Sequence, residues 1–227
     1  MKISEIFYSL QGEGTLLGVP SVFVRTSGCN LRCVWCDTPY TSWQPEGDEK
    51  SIAQIVTAVR AFGCSHVVVT GGEPMIAPGI ADLTIALANS SHHITIETAG
   101  TVAAPVACDL MSISPKLANS TPLERDGGRW AAQHDRVRYA PRVLRRLMSE
   151  YPHQLKFVVT GPEDLAEIHR LVEELRADRA RVLLMPEGRD ETLLRERSQW
   201  LAEVCKQTGY RFTPRLHVAI WGDVRGT

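Results

Sequence analysis

Three cysteines fall within eight residues, Cys29-Asn30-Leu31-Arg32-Cys33-Val34-Trp35-Cys36, in a C-x3-C-x2-C spacing. Such a run gathers three thiolates on one loop and offers no fourth. A structural zinc site or an electron-transfer [4Fe-4S] cluster takes four protein ligands, whereas a cubane held by three leaves one iron free to bind something that reacts. The competing reading is a zinc site that borrows a distant fourth ligand, such as Cys64 or His66. Structural zinc usually shows two paired spacings, and here one group is visible.

The elements that must position this loop are read from periodicity. Short Val- and Ile-rich runs alternate with longer helical patterns, as in parallel strands joined by crossover helices. Strands are expected at 21–25, 66–70, 94–97, 110–114, 155–159, 181–185 and 216–220, and helices at 51–61, 80–88, 141–150, 162–176 and 191–207. Ser51 with Gln54 three residues on resembles a capping box opening the first helix. The expected fold is α/β, an incomplete (β/α) barrel of about six parallel strands in one domain, 1–227, because a full eight-unit barrel takes about 250 residues. Residues 117–139 carry no regular period and are expected to form an irregular crossover over the site.

On this scaffold Cys29, Gly71-Gly72-Glu73-Pro74, Glu97-Thr98-Ala99-Gly100 and Ser114-Pro115-Lys116 all fall at the carboxyl ends of expected strands. Loops from neighbouring strands converge on that face of a barrel, so the site is expected there.

Composition narrows the function classes. Lys plus Arg is 25 against 26 Asp plus Glu, a formal charge of -1, which provides no broad attraction for nucleic acid or anionic lipid. A small-molecule substrate is expected. The first residues carry charge among their apolar side chains, and no run has the apolar length of a signal peptide or membrane helix, so a cytoplasmic protein is expected. In a reducing compartment the six cysteines are metal ligands or packed apolar residues rather than disulfides. The scattered Cys64, Cys108 and Cys205 are read as packing, and His92-His93 as a polar approach to a strand.

With an aromatic residue, Trp35, before its last cysteine, the loop resembles the signature of the radical S-adenosylmethionine (SAM) superfamily, and Gly71-Gly72-Glu73-Pro74 resembles that superfamily's GGEP motif. The resemblance narrows through Ser9-Leu10-Gln11-Gly12-Glu13-Gly14, Gly18-Val19-Pro20, Phe23-Val24-Arg25, Gly28-Cys29-Asn30-Leu31 and Trp35-Cys36-Asp37-Thr38. With Thr70, Glu97-Thr98-Ala99-Gly100-Thr101 and Ser114-Pro115-Lys116-Leu117, that ordered series is similar to the 7-carboxy-7-deazaguanine synthase family.

What the resemblance implies is specific. Cys29, Cys33 and Cys36 hold a [4Fe-4S] cluster whose open iron binds SAM, and one electron cleaves SAM to a radical that takes hydrogen from the substrate. The family rearranges 6-carboxy-5,6,7,8-tetrahydropterin into 7-carboxy-7-deazaguanine with loss of ammonia, towards queuosine. SAM contacts are implied for Trp35, Cys36, Asp37, Gly72, Glu73, Ser114, Pro115, Lys116, Met185, Pro186, Glu187 and Gly188. Pterin contacts are implied for Leu10, Gln11, Gly12, Arg25, Thr70 and the chain end at Thr227, and Thr38 is implied as the Mg²⁺ ligand. A planar guanidinium suits a carboxylate, an amide suits a pterin edge, and a hydroxyl is a hard donor suited to Mg²⁺. A homodimer reduced by a flavodoxin or ferredoxin is also implied.

Taken singly, Arg25 reads as a strand-end ion pair, Gln11 and Gly12 as a turn, and Thr38 as a turn threonine. Only the ordered series favours the functional reading. Two alternatives remain at this point: another small radical SAM enzyme, such as a glycyl-radical activase, and an electron-carrier or zinc-stabilised binding protein.

Overall fold

The computed structural model describes residues 1–227. In chain order the elements are β1 (Lys2–Leu10), β2 (Pro20–Thr26), α1 (Pro39–Ser42), β3 (Asp48–Glu49), α2 (Ile52–Arg60), β4 (His66–Gly71), α3 (Ile80–Ala88), β5 (His93–Thr98) and β6 (Leu110–Ile113). They continue with α4 (Ala131–Val137), α5 (Pro141–Glu150), β7 (His153–Val159), α6 (Asp164–Leu175), β8 (Val182–Pro186), α7 (Glu191–Thr208), β9 (Arg211–Phe212) and α8 (Leu216–Trp221). All nine strands form one sheet in the order β3-β1-β2-β4-β5-β6-β7-β8-β9. From β2 to β8 the pairings are parallel, six strands in all, and the two ends of the sheet do not meet. The fold is thus an incomplete (β/α) barrel.

Helices cover the sheet, and this explains the near-continuous apolar runs of its inner strands. Val67, Val69, Ile94, Ile96, Ile113, Leu155 and Phe157 are essentially inaccessible and belong to one cluster of 30 buried residues. The helices bring one apolar stripe each: Ile55 and Val59 from α2, Leu83 and Leu87 from α3, Leu144 and Leu147 from α5, and Ile168, Leu171 and Leu175 from α6. The capping box forms as expected: Ser51 Oγ accepts from Gln54 N at 3.2 Å, and Gln54 Oε1 accepts from Ser51 N at 2.8 Å.

Three expectations need correction. Residues 216–220 are not a strand but most of α8, because a short apolar run has the same appearance in either element and only its partners decide. The last partner of β8 is instead Arg211–Phe212. The long β1 had no counterpart among the expected strands; it pairs antiparallel with β2, and a register shift between Ile3 and Glu5 breaks its alternation. Residues 117–139 are not wholly irregular, since two 3-10 turns and α4 lie within them. No helix is long and apolar enough to cross a membrane.

The capping box supports a direct stability test. Ser51→Ala should lower the unfolding free energy by about 1 kcal/mol, the usual worth of an N-cap, as a shift in the urea midpoint. Because Ser51 lies outside the cavity described below, ligand binding should be unchanged.

Candidate active site

The carboxyl ends of the parallel strands surround a cavity of about 410 Å³. Each element delivers one part of its wall. β2 leads into the cysteine loop, β4 into the Gly71-Gly72 turn, β5 supplies Glu97 and Thr98, the turn after β6 supplies Ser114 and Lys116, and β7 and β8 supply Lys156 and Met185.

Cys29, Cys33 and Cys36 all reach this wall, and none is in a disulfide. Burial pushes the Cys29 thiol up to about 12 and the Cys33 thiol higher still, while Arg32 and Lys116 pull the other way. Leu31 N donates to Cys29 Sγ at 3.4 Å, and Cys36 Sγ lies 3.2 Å from Ser42 Oγ. Three soft donors, Cys33 buried and Cys29 and Cys36 partly so, beside two cations suit an iron-sulfur cluster, whose charge releases the Cys29 and Cys33 protons that burial retains. Close packing of the glycine turn adds to the fit: a Cβ on Gly72 would lie 2.1 Å from Gly28 O and 2.8 Å from Cys29 Cβ. The turn can approach the cysteine loop only as glycine. No three His, Cys, Asp or Glu side chains are grouped as ligands of a single ion.

Glu73 is placed differently from the implied SAM contact. Its carboxylate is fully buried behind the cavity wall, where Oε1 accepts from Thr98 Oγ1 at 2.7 Å and Met75 N at 3.1 Å, and Oε2 from Ala99 N at 2.8 Å. Burial raises its pKa against those hydrogen bonds. Its visible work is to tie the β4 turn to the end of β5. Pro115, Pro186 and Gly188 likewise do not line the cavity, whereas Trp35, Asp37, Gly72, Ser114, Lys116, Met185 and Glu187 do. Lys116 Nζ is fixed on Ser114 O and Oγ at 2.9 and 2.8 Å.

Across the cavity lie Leu10, Gln11, Gly12, Arg25 and Thr70. Two of them, Gln11 and Thr70, converge on Glu97, which is absent from the implied contacts. Gln11 Nε2 donates to its Oε1 at 3.2 Å, and Thr70 Oγ1 to its Oε2 at 2.8 Å. Arg25 Nε pairs with Glu5 at 2.6 Å, leaving its terminal nitrogens without a partner in the chain. Thr38 is the N-cap of α1 and lines the cavity; its hydroxyl makes no capping hydrogen bond and lies 3.8 Å from Cys36 Sγ.

A second group joins Glu13, Lys156, Arg215 and His217, absent from the implied contacts, to Asp37 and Gly188. Glu13 is clasped by Lys156 Nζ and by Arg215 Nε at 3.2 Å, while Arg215 also holds Asp37 and donates to Gly188 O at 2.6 Å. Burial would raise the Glu13 carboxyl, but Lys156 and Arg215 overcome it and hold the group far below the carboxylate range. His217 packs so closely that a Cβ on Gly12 would lie 2.0 Å from its Nδ1. Residues 222–227 complete the wall, Thr227 included, anchored by Arg189–Asp223 at 3.3 Å and Arg225–Glu5 at 3.0 Å. Lys156, Arg215 and His217 carried no local signal because they meet Glu13 only through contacts more than 140 residues apart in sequence. Glu13 and Glu97 stood inside the quoted motifs but were given no role there, although a carboxylate in such a motif was the available signal.

Three thiols at strand ends of an open parallel sheet, facing a polar cavity, define a radical SAM enzyme, which works with a [4Fe-4S] cluster and SAM; the radical SAM superfamily profile matches residues 23–121. A 7-carboxy-7-deazaguanine synthase of Halobacterium salinarum is 47% identical over 238 residues, covering 100% of this chain and 93% of its own. Another, of Rhodopirellula baltica, is 45% identical over 226 residues, covering 99% and 88%. The crystal structure of QueE from Escherichia coli aligns with a TM-score of 0.68 at 27% identity, over 95% of this chain and 94% of that one. The chain belongs to the 7-carboxy-7-deazaguanine synthase family.

Two outcomes follow from the buried polar groups. Glu73→Ala strands three donors, each worth about 1–3 kcal/mol when left unpaired in the interior; thermal unfolding should show a loss of at least about 2 kcal/mol. Weakened SAM binding with unchanged unfolding would instead make Glu73 a direct ligand.

His134, 1% exposed, accepts from Arg32 N at 3.0 Å, and burial with Arg138 nearby lowers its pKa to about 4. The unfolded chain therefore binds a proton that the folded chain refuses between about pH 6.5 and 4. Stability from this group is complete above pH 6.5 and falls as pH drops through that window, by on the order of 3 kcal/mol. Urea unfolding at pH 7 and 5 should show the loss in the wild type and a smaller one in His134→Asn.

Proposed function

We propose that this protein converts 6-carboxy-5,6,7,8-tetrahydropterin to 7-carboxy-7-deazaguanine with loss of ammonia, a step towards queuosine and related 7-deazapurines. One observation carries the reading: a single cavity joins three free thiols at one end to a Gln11–Glu97–Thr70 cage and Arg25 at the other. Its relatives bear the name of that activity over their full length.

When bound, the cluster and SAM supply a carbon-centred radical that removes one substrate hydrogen. The chain's residues supply position. Gln11 and Thr70 each hold one oxygen of Glu97, so its remaining lone pairs can accept from the adjacent ring N–H and amino group of a pterin edge. Arg25 offers its free guanidinium edge to the substrate carboxylate. The Glu13–Lys156–Arg215–Asp37 network pairs its charges internally, which keeps the wall rigid without strong net charge. Trp35, Cys36, Asp37, Gly72, Ser114, Lys116, Met185 and Glu187 form the side expected to hold SAM, with Glu73, Pro115, Pro186 and Gly188 directly behind or beside them. Water is kept from the reacting centre by the walls and by residues 222–227.

The uncapped hydroxyl of Thr38 supports a Mg²⁺ role, with substrate oxygens and water filling the other positions. We further take residues 1–227 as one catalytic unit, supported by the Gly14 N to Thr213 Oγ1 bond at 2.7 Å across the whole chain. A cytoplasmic homodimer is the proposed form, and the exposed Tyr8–Phe62 stack, centroids 6.0 Å apart, supports an association surface. The electron would come from a flavodoxin- or ferredoxin-like donor, a role that exposure of Val34 between two cluster cysteines supports.

Incubating the reduced, reconstituted protein with SAM, Mg²⁺ and the pterin should yield the deazaguanine by mass. An intact cluster that cleaves SAM without that product would revive the activase reading. Glu97→Gln should lower kcat/KM roughly 10- to 100-fold, because a hydrogen bond to a charged group is worth about 1.5–3 kcal/mol. Thr38→Ala should raise the Mg²⁺ concentration needed for half-maximal rate; equal activity in chelator and in Mg²⁺ would remove the metal from the proposal.

A further inference from the structure

The cysteine loop has no regular structure from Cys29 to Cys36, so its amides must find partners elsewhere. The two amides flanking Cys33 find them in the crossover after β6. Arg32 N donates to His134 Nδ1 at 3.0 Å, and Val34 N donates to Ser120 O at 2.9 Å. His134 Nε2 lies 2.9 Å from Ser120 Oγ, which in turn donates to Leu117 O at 2.6 Å. Direction follows from chemistry: an amide can only donate, so Nδ1 is bare and Nε2 carries the hydrogen. The relay therefore runs unbroken from Arg32 to Leu117, which adjoins the Ser114–Lys116 wall. His134 and Ser120 are both almost completely buried, at 1% and 0% exposure.

We propose that His134 is a positioning residue for the cluster: by occupying the Arg32 amide it keeps that N–H from a cysteine sulfur, and it locks the cysteine loop to the loop carrying Ser114 and Lys116. The consequence is electronic as well as geometric. Hydrogen bonds to sulfur stabilise the more negative, reduced cluster and raise its potential. Leu31 N already points at Cys29 Sγ. Were the next amide released from His134, it could turn to sulfur as well. By accepting that hydrogen, His134 keeps the cluster strongly reducing, as cleavage of a carbon-sulfur bond requires. Partners that orient a metal ligand commonly matter 10- to 100-fold in metal affinity.

The inference rests on the radical SAM reading, and its test does not use turnover. His134→Asn retains an acceptor at the δ position and loses the Ser120 contact, whereas His134→Gln reaches Ser120 and loses the acceptor facing Arg32. Each full-length protein is reconstituted anaerobically; cluster potential is followed by electron paramagnetic resonance, and iron release to a chelator is timed. The Asn variant should match the wild type in potential, and the Gln variant should shift to higher potential and lose iron at least about tenfold faster. Circular dichroism of the cluster-free proteins checks that both fold; if His134→Ala unfolds, the Asn and Gln pair still decides. Equal behaviour of Asn and Gln, or an unmoved potential in both, would overturn the proposal and leave His134 as a packed core histidine. A wild-type chain that assembles no cluster would overturn the functional reading instead.

Discussion

Three thiols on one short loop must give up their protons to hold a metal cluster, and around Cys29 and Cys33 the protein wall favours keeping them. Burial alone pushes Cys29 to about 12 and Cys33 beyond it, so only a strongly charged metal centre, helped by Arg32 and Lys116, makes the thiolate state accessible. The loop forms neither strand nor helix. Its backbone groups are satisfied from outside: Trp43 Nε1 donates to Cys33 O at 3.0 Å, Arg125 to Val34 O at 2.9 Å, and Ser120 and His134 take the intervening amides. Trp35 is held by its own indole on Asn119 O at 3.1 Å. The crossover at 117–139, with its two 3-10 turns and α4, packs around this loop.

The far end of the cavity meets the opposite constraint. This end gathers charges in a partly dry site, and isolated buried charges are costly. Glu13, Lys156, Arg215 and Asp37 neutralise one another, and each is drawn from a different part of the chain. The network therefore forms only when the first loop, the cysteine loop, β7 and the segment before α8 are all in place. Leu216 N donates to Gly12 O at 2.9 Å, and Gly14 N to Thr213 Oγ1 at 2.7 Å, so the late chain is stitched to the early chain directly over the cavity. A completed site and a completed fold are the same event here.

This division also explains what could be read from sequence. The cluster loop, the Gly71-Gly72 turn and the six parallel strands were legible because each is a local pattern: a spacing of cysteines, a pair of glycines, a run of Val and Ile. Helix α2 was legible down to its capping box for the same reason. Lys156, Arg215 and His217 were not, since a lone cation in a strand or short helix acquires meaning only when Glu13 arrives from the other end of the chain. β1 was lost to a register shift that disrupts its alternation, and α8 was mistaken for a strand because six residues cannot distinguish a period of 2 from one of 3.6. Glu73 was legible as a motif letter but not as a buried strut.

That strut has a geometric consequence. A radical generated beside the cluster reacts with whatever C–H bond is nearest, so the distance between the cysteine loop and the substrate cage must be fixed by rigid parts. Gly72 packs on the cysteine loop with no room for a Cβ. Its neighbour Glu73 binds Thr98 and Ala99 at the end of β5. Glu97, one residue before Thr98, is the acceptor on which Gln11 and Thr70 converge. Cysteine loop, glycine turn, buried carboxylate and the Gln11–Glu97–Thr70 cage are therefore linked through strand ends and hydrogen bonds rather than through side chains free to swing. A carboxylate fully buried behind the wall thus sets the spacing between the cysteine loop and the Glu97 cage through fixed hydrogen bonds at the end of β5.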